Sequence, residues 1–189
     1  AIIENYIKKD LSSVNINFDS WFNESALYES GLLKTVLKKI DDNDLSYTKD
    51  GALWFRNTSF GEDKDRVLIK SNGDMTYFAT DIAYHVHKFK NHDILINIWG
   101  ADHHDYAVRL TNAMGYDVEN RLQIHLVQFA NLIMSGKSIS MSTRSGDFYP
   151  IQDLVNEIGH DATKYFYLKK KKEQHLEFDV DLAIKKSKN

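Results

Sequence analysis

The chain has 189 residues, and 42% of them are apolar, enough for a buried core in one large domain or two small ones. It contains no cysteine, which excludes disulfides and every cysteine-based metal or nucleophile site, and its single proline argues against a disordered or fibrous chain. The net charge of −3 gives no global pull toward nucleic acid, and no stretch of about 18 apolar residues is present to span a membrane.

Residues 1–9 read as a helix. AIIENYIKKD lacks a signal-peptide pattern and looks like the end of a helix cut from something longer. Val14, Ile16 and Phe18 alternate with polar residues and predict a strand over 14–22. Leu32, Leu33, Val36, Leu37 and Ile40 mark one face of an amphipathic helix, which the acidic cluster Asp41, Asp42 and Asp44 ends. Strand-like pieces lie at 51–55, 66–70 and 75–78, with Asn72-Gly73 as a hairpin signal between the last two. This helix and small antiparallel sheet differ in style from the parallel unit C-terminal to them and suggest an inserted subdomain. Ile82, Val86 and Phe89 then predict a helix over 81–90.

The run ILINIWGADHH, residues 94–104, organises the next part. Its near-continuous apolar residues predict a strand buried on both faces, as in a parallel sheet. Gly100 stops the strand and allows close approach of a ligand to the backbone. Tyr106, Ala107, Leu110 and Met114 recur at helical spacing, and Gly115 closes that helix. Ligands of open α/β sheets sit at such strand ends, beside helix N-termini. Asp102 therefore reads either as an acceptor for sugar hydroxyls or as a helix N-cap.

Residues 122–129 predict another strand, with Ile124, Leu126 and Gln128 on alternating positions. Residues 135–146, SGKSISMSTRSG, are rich in small and hydroxyl side chains. Ile151, Leu154, Val155 and Ile158 mark a short helix stopped by Gly159. Asp161 is placed to cap the next helix, and Asp179 or Asp181 a last one. From Lys164 to Asn189 eight lysines stand against four acids, densest at Lys169 to Lys172. That run reads as a solvated helix end or as a phosphate-backbone contact.

Six stretches together resemble the bacterial arginyl-tRNA synthetases. They are DGALWF (50–55), FGEDKDRVL (60–68), TYFATDIAYH (76–85), INIWGADHHDY (96–106), MSTRSGDF (141–148) and HLEFDVDLA (175–183). Their order and spacing are the family's, and they cover nearly the whole chain. The resemblance implies an α/β fold: the second half of a Rossmann-type class I catalytic domain, with an inserted antiparallel α+β subdomain and C-terminal linking helices. The corresponding divisions are residues 1–17, a preceding helix end and linker; 18–76, the inserted subdomain; 77–150, the half-domain; and 151–189, a helical stem-contact segment.

The chemistry implied is activation of arginine with ATP, supplied with Mg²⁺ as substrate, and transfer to tRNA(Arg). Arginine recognition falls to Tyr77, Asp81 and His103, and ATP binding to Gly100, Asp102, Gln128 and Lys137. The physics agrees for Asp81, since one carboxylate can accept a bidentate guanidinium fork. Taken alone, without the resemblance, Asp81 reads rather as an N-cap and Tyr77 as a core aromatic. Ser140, Met141, Ser142 and Arg144 fall where class I enzymes carry a mobile Lys-Met-Ser-Lys-Ser loop, with both lysines replaced, by Ser140 and Thr143. Lys137 or Arg144 could supply phosphate-binding charge instead.

The other class I signature, His-Ile-Gly-His, is absent. Glu157-Ile158-Gly159-His160 lies after the Met-Ser loop and is a decoy. The piece by itself is therefore expected not to activate arginine. The resemblance further implies a cytoplasmic, monomeric enzyme with no membrane contact and no structural metal. Two other readings rest on the residues alone. His103, His104 and Asp105, with His85 and His87, could form the metal cluster of a phosphohydrolase. The lysine-rich tail could mark a non-catalytic RNA-binding module.

Overall fold

A computed structural model describes residues 3–115, 118, 120–139 and 149–187. The chain divides into two compact units, Trp21–His125 and Ala1–Ser20 with Leu126–Asn189.

Helix α1 (Lys8–Ser13) belongs to the second of these. The first unit opens with α2 (Ser25–Glu29) and α3 (Leu32–Asp42). The five apolar residues of the α3 stripe are all buried, as their spacing requires. A three-stranded antiparallel sheet comes next: β1 (Ser46–Lys49), β2 (Ala52–Phe55) and β3 (Arg66–Ile69), in that order. Lys49 pairs with Ala52, so Asp50-Gly51 is a two-residue hairpin loop. Both loop residues have positive φ (52° and 74°), the requirement that favours Asp-Gly in such turns. The expected third strand at 75–78 reduces to a single bridge, Ile69 to Met75.

That strand is lost because helix α4 (Tyr77–Phe89) starts there. Thr76 caps it, its Oγ1 accepting from the Ala79 N–H at 3.4 Å while donating to the Val67 carbonyl. The helix thus begins four residues before Asp81, which is not a cap. β4 (Leu95–Gly100) comes next, then a 3₁₀ turn (Ala101–His103), α5 (His104–Met114) and β5 (Leu122–Val127), which pairs with β4. β4 corrects the expectation of burial on both faces. Leu95 and Asn97 are buried, whereas Ile96 and Ile98 are 58% and 72% exposed. The burial of β4 therefore alternates, with one face covered and the other exposed. The main core of this unit joins α2, α3 and the small sheet to α4 and α5, with Phe55, Leu68, Ala83 and Leu110 fully enclosed.

In the second unit, a helical turn (Ile3–Ile7) runs into α1. The strand expected at 14–22 does not form. Val14 closes α1, its N–H donating to the Leu11 carbonyl, and Asn15 adopts a positive φ of 58°. Ile16 and Phe18 are exposed, so their alternation marks no sheet face. β6 (Ala130–Met134) lies between β7 (Lys137–Ser138), antiparallel, and β8 (Leu176–Asp179), parallel. Helices α6 (Ile151–Ile158), α7 (His160–Leu168) and α8 (Val180–Ser187) complete the unit. Its core gathers Leu132, Leu154, Ile158, Leu176, Phe178, Val180 and Ala183. Gly159 stops α6 at φ 82°, as the decoy reading of residues 157–160 requires. Asp161 sits in the first turn of α7, whose N-cap is Gly159, so it does not cap that helix. Asp179 caps α8, its Oδ1 accepting from the Leu182 N–H at 2.9 Å.

Candidate active site

The side chains that resemble an arginine site gather in the Trp21–His125 unit around one ring, Tyr106. Residue 106 lies in the first turn of α5, where helical periodicity turns it inward, and it is buried. Its hydroxyl donates to Asp81 Oδ2 at 2.5 Å. Asp81 stands in the second turn of α4 and is half-buried. Among the described residues its other oxygen, Oδ1, accepts no hydrogen bond. Burial, and then the bond to Asp81, push the Tyr106 hydroxyl pKa well above the ordinary phenol value, so Tyr106 stays a donor.

Four rings surround Tyr106. Tyr77 lies 5.2 Å away between centroids, Trp99 5.6 Å, His103 6.1 Å and Phe78 6.2 Å. Tyr77 is 66% exposed, which overturns its reading as a core aromatic. It opens α4 four residues before Asp81, so both side chains share one helix face. His103 ends the 3₁₀ turn, with its Nε2 3.9 Å from Asp102 Oδ2. The structure therefore brings Tyr77, Asp81 and His103 together.

Gly100 ends β4 in extended backbone (φ −66°, ψ 151°), so a positive φ is not what glycine supplies here. Asp102 is exposed in the turn after it and makes no side-chain cap, which removes the N-cap alternative. An exposed carboxylate just past the C-terminal end of a strand is free to accept from a ligand's hydroxyls. Gln128 and Lys137 belong to the other unit. The backbone N–H of Gln128 donates to the Lys172 carbonyl, and exposed Lys137 pairs with Met134 in the β6–β7 hairpin. Ser140, Met141, Ser142 and Arg144 lie outside the described residues.

Among the described residues, two cavities are lined in part by α4. One, about 240 Å³, is lined by Phe22, Glu24, Leu27, Thr80, Asp81 and Tyr84. Two carboxylates and two aromatic faces suit a cation there. The other, about 290 Å³, is lined mainly by apolar residues of α3 and α4 with Lys39 and Lys90 at its edge. It offers no acid and does not suit a guanidinium. Among the described residues no three His, Asp or Glu side chains gather as a metal cluster, so the phosphohydrolase reading lacks its ligand set.

Tyr106 and Trp99 are not legible in the sequence as site residues. Tyr106 and Asp81 are 25 residues apart on different helices, and only the packing of α4 on α5 joins them. The role of His85, which the sequence offers only as a metal ligand, also escapes a reading of the sequence. His85 is 2% exposed, with Nδ1 2.8 Å from the Asp81 carbonyl and Nε2 2.7 Å from Asn97 Nδ2. Burial, and then the nearby Lys88 ammonium, lower the His85 pKa from its ordinary 6.5. The unfolded chain therefore takes up the proton first as pH falls. The stability His85 contributes is complete above about pH 6.5 and is lost as pH drops through the lower folded value. We expect the unfolding midpoint to fall on acidification below that pH, and less so in His85→Gln. Equal acid sensitivity of the two proteins would contradict it.

Known proteins share both this sequence pattern and this architecture. Residues 1–185 match the sequence model of the family described as tRNA synthetases class I (R), catalytic domain. A protein of Nitrosomonas europaea named arginine–tRNA ligase is 48% identical over 184 residues, 95% of this chain and 31% of its own length. One from Legionella pneumophila (strain Corby) with the same name is 47% identical over 185 residues, 96% of this chain and 31% of its own. The chain thus spans about a third of the length of the curated relatives it matches. A crystal structure from Campylobacter jejuni, assigned as an arginyl-tRNA synthetase, superposes with a TM-score of 0.82 at 37% identity, over 93% of this chain and 38% of that one. The Thermus thermophilus arginyl-tRNA synthetase shares the fold, with a TM-score of 0.71 at 16% identity, over 93% of this chain and 40% of that one. No helix among the described residues is long and apolar enough to cross a membrane. Motif order, fold and family match agree from one end of the chain to the other: it belongs to the catalytic-domain family of the class I tRNA synthetases of the arginine type.

Proposed function

We propose that the intact protein carrying this sequence is an arginine–tRNA ligase, and that α4, α5 and the turn after β4 hold its arginine. One observation carries the reading: Asp81 is held by Tyr106 through one carboxylate oxygen, leaving the other for a guanidinium. Tyr77 and His103 supply flat faces beside it, and a guanidinium stacks well on such faces. Asp102 accepts from the ATP ribose, with the backbone at Gly100 against the nucleotide. Gln128 and Lys137 serve the ATP end, and Ser140, Met141, Ser142 and Arg144 the phosphates.

Residue roles follow the charges. Asp81 fixes the side-chain end of arginine, so the α-carboxylate is presented to the ATP, which enters with Mg²⁺ as substrate. A carboxylate oxygen bonds to the α-phosphorus while the bond to the pyrophosphate oxygen breaks in line, giving arginyl-adenylate and pyrophosphate. A terminal ribose hydroxyl of tRNA(Arg) then attacks the carbonyl carbon, and AMP leaves. Orientation accounts for much of such a rate, because both reactants are held before the barrier. The working enzyme is read as a cytoplasmic monomer with no structural metal. Charging of tRNA(Arg) with labelled arginine by the intact protein tests the reading. Arginyl-tRNA dependent on ATP is expected; binding of tRNA with no charging would favour a non-catalytic RNA-binding role instead.

A further inference from the structure

Asp81 is gripped at two points by two different elements. Tyr106 of α5 holds its carboxylate, and the His85 ring, one turn further along α4, holds its backbone carbonyl at 2.8 Å. The His85 ring also reaches across to β4. Its Nε2 lies 2.7 Å from Asn97 Nδ2 and 3.2 Å from Lys88 Nζ, and Lys88 Nζ donates to Asn97 Oδ1 at 3.0 Å.

The chemistry of the three groups fixes their hydrogens. An ammonium only donates, so the atom of Asn97 facing it is the carbonyl oxygen, and the amide NH₂ must face His85. His85 Nε2 then meets donors and is the lone-pair nitrogen. The proton is on Nδ1, which donates to the Asp81 carbonyl. His85 is thus neutral, and every ring nitrogen is used. The ring is 2% exposed and Asn97 7%, so these bonds are shielded from water.

The network sits between two functional turns. On one side is the Asp81 turn of α4. On the other, Asn97 lies three residues before Gly100, and the Trp99 ring packs edge-on against His85 at 6.3 Å and tilted against Tyr106 at 5.6 Å. We propose that His85 is a positioning residue: through Asn97 and Lys88 it locks the Asp81 turn of α4 onto β4, and so sets the guanidinium-binding carboxylate relative to the Gly100–Asp102 turn. This rests on the arginine-ligase reading above. A pure fold-stabilising role would need only the burial and packing of the ring. Positioning needs the bond that crosses from α4 to β4.

Two substitutions separate these roles. In His85→Gln the side-chain oxygen reaches the position of Nε2 and can still accept from Asn97 and Lys88. In His85→Asn the shorter amide can still serve the Asp81 carbonyl but falls short of β4. Each is made in the intact protein, with Asp81→Asn beside them, and read by arginine-dependent ATP–pyrophosphate exchange and by thermal unfolding. We expect His85→Asn to lose roughly tenfold to a hundredfold in kcat/KM for arginine, through a higher KM and a lower kcat, with the KM for ATP little changed. We expect His85→Gln to stay within about threefold of the unsubstituted protein. The proposal is overturned if the two variants match each other, or if arginine and ATP parameters decline together in step with the unfolding temperature. Should Asp81→Asn raise the arginine KM while His85→Asn leaves it unchanged, only the positioning role fails. Should Asp81→Asn itself leave that KM unchanged, the arginine reading fails and the positioning role with it.

Discussion

Asp81→Asn in the intact protein should weaken arginine binding by roughly 2–5 kcal/mol, the usual loss when one partner of a buried, hydrogen-bonded charge pair is neutralised. That corresponds to a rise of about thirtyfold or more in arginine KM. The substitution is nearly isosteric, so the packing around Tyr106 survives. An amide oxygen can still accept from the Tyr106 hydroxyl, which lies 2.5 Å from Oδ2. The NH₂ group then takes the place of Oδ1 and faces the guanidinium donors with donors of its own. The effect is therefore expected in arginine recognition, with the unfolding temperature little changed. An arginine KM near that of the unsubstituted protein would remove Asp81 from the site.

Phe55→Ala should destabilise the chain by about 3–5 kcal/mol, the range for truncating a large aromatic in a packed core. Phe55 is fully buried and stands at the joint between the small sheet and α4. Its ring stacks on Phe60 and meets Phe78 edge-on, both at 5.8 Å. Phe78 in turn contacts Tyr106. The cavity left by Phe55 thus opens behind the residue next to Tyr77 in the chain. Urea unfolding is the check, and a change below about 1 kcal/mol would mean that the core collapses around the gap.

Local pattern makes most elements legible. The stripe of α3, the run into Gly100 and the stop at Gly159 each arise from neighbours in sequence. The differences between expectation and structure share a cause, namely competition between equally good local signals. Asp50-Gly51 is a hairpin dipeptide, yet Gly51 also opens the apolar run 51–55, and β1 on the other side of the turn goes unmarked. Asp81 is a good capping residue, and it competes with Thr76, whose cap starts the helix a full turn earlier. At β4, composition suggests two buried faces, but burial depends on what packs against the strand, and composition does not carry that.

For the candidate site, the short motifs single out Tyr77, Asp81, His103 and Asp102, which lie in α4 and in the turn after β4. They do not disclose what holds Asp81. Its two anchors differ in kind. His85 is four residues away on the same helix and stands out in the sequence only as a candidate metal ligand. Tyr106 comes from another helix, and its aromatic ring matches a core position equally well. Their hold on Asp81 shows only when α4 is seen packed on α5 and hydrogen-bonded to β4.

The most direct measurement is a crystal structure of the intact protein with arginine bound. The guanidinium should hydrogen-bond to Asp81 Oδ1, with the Tyr106 hydroxyl still on Oδ2 and the Tyr77 ring beside the ligand. Arginine bound with its guanidinium away from Asp81, and Asp81 still unoccupied, would contradict the account.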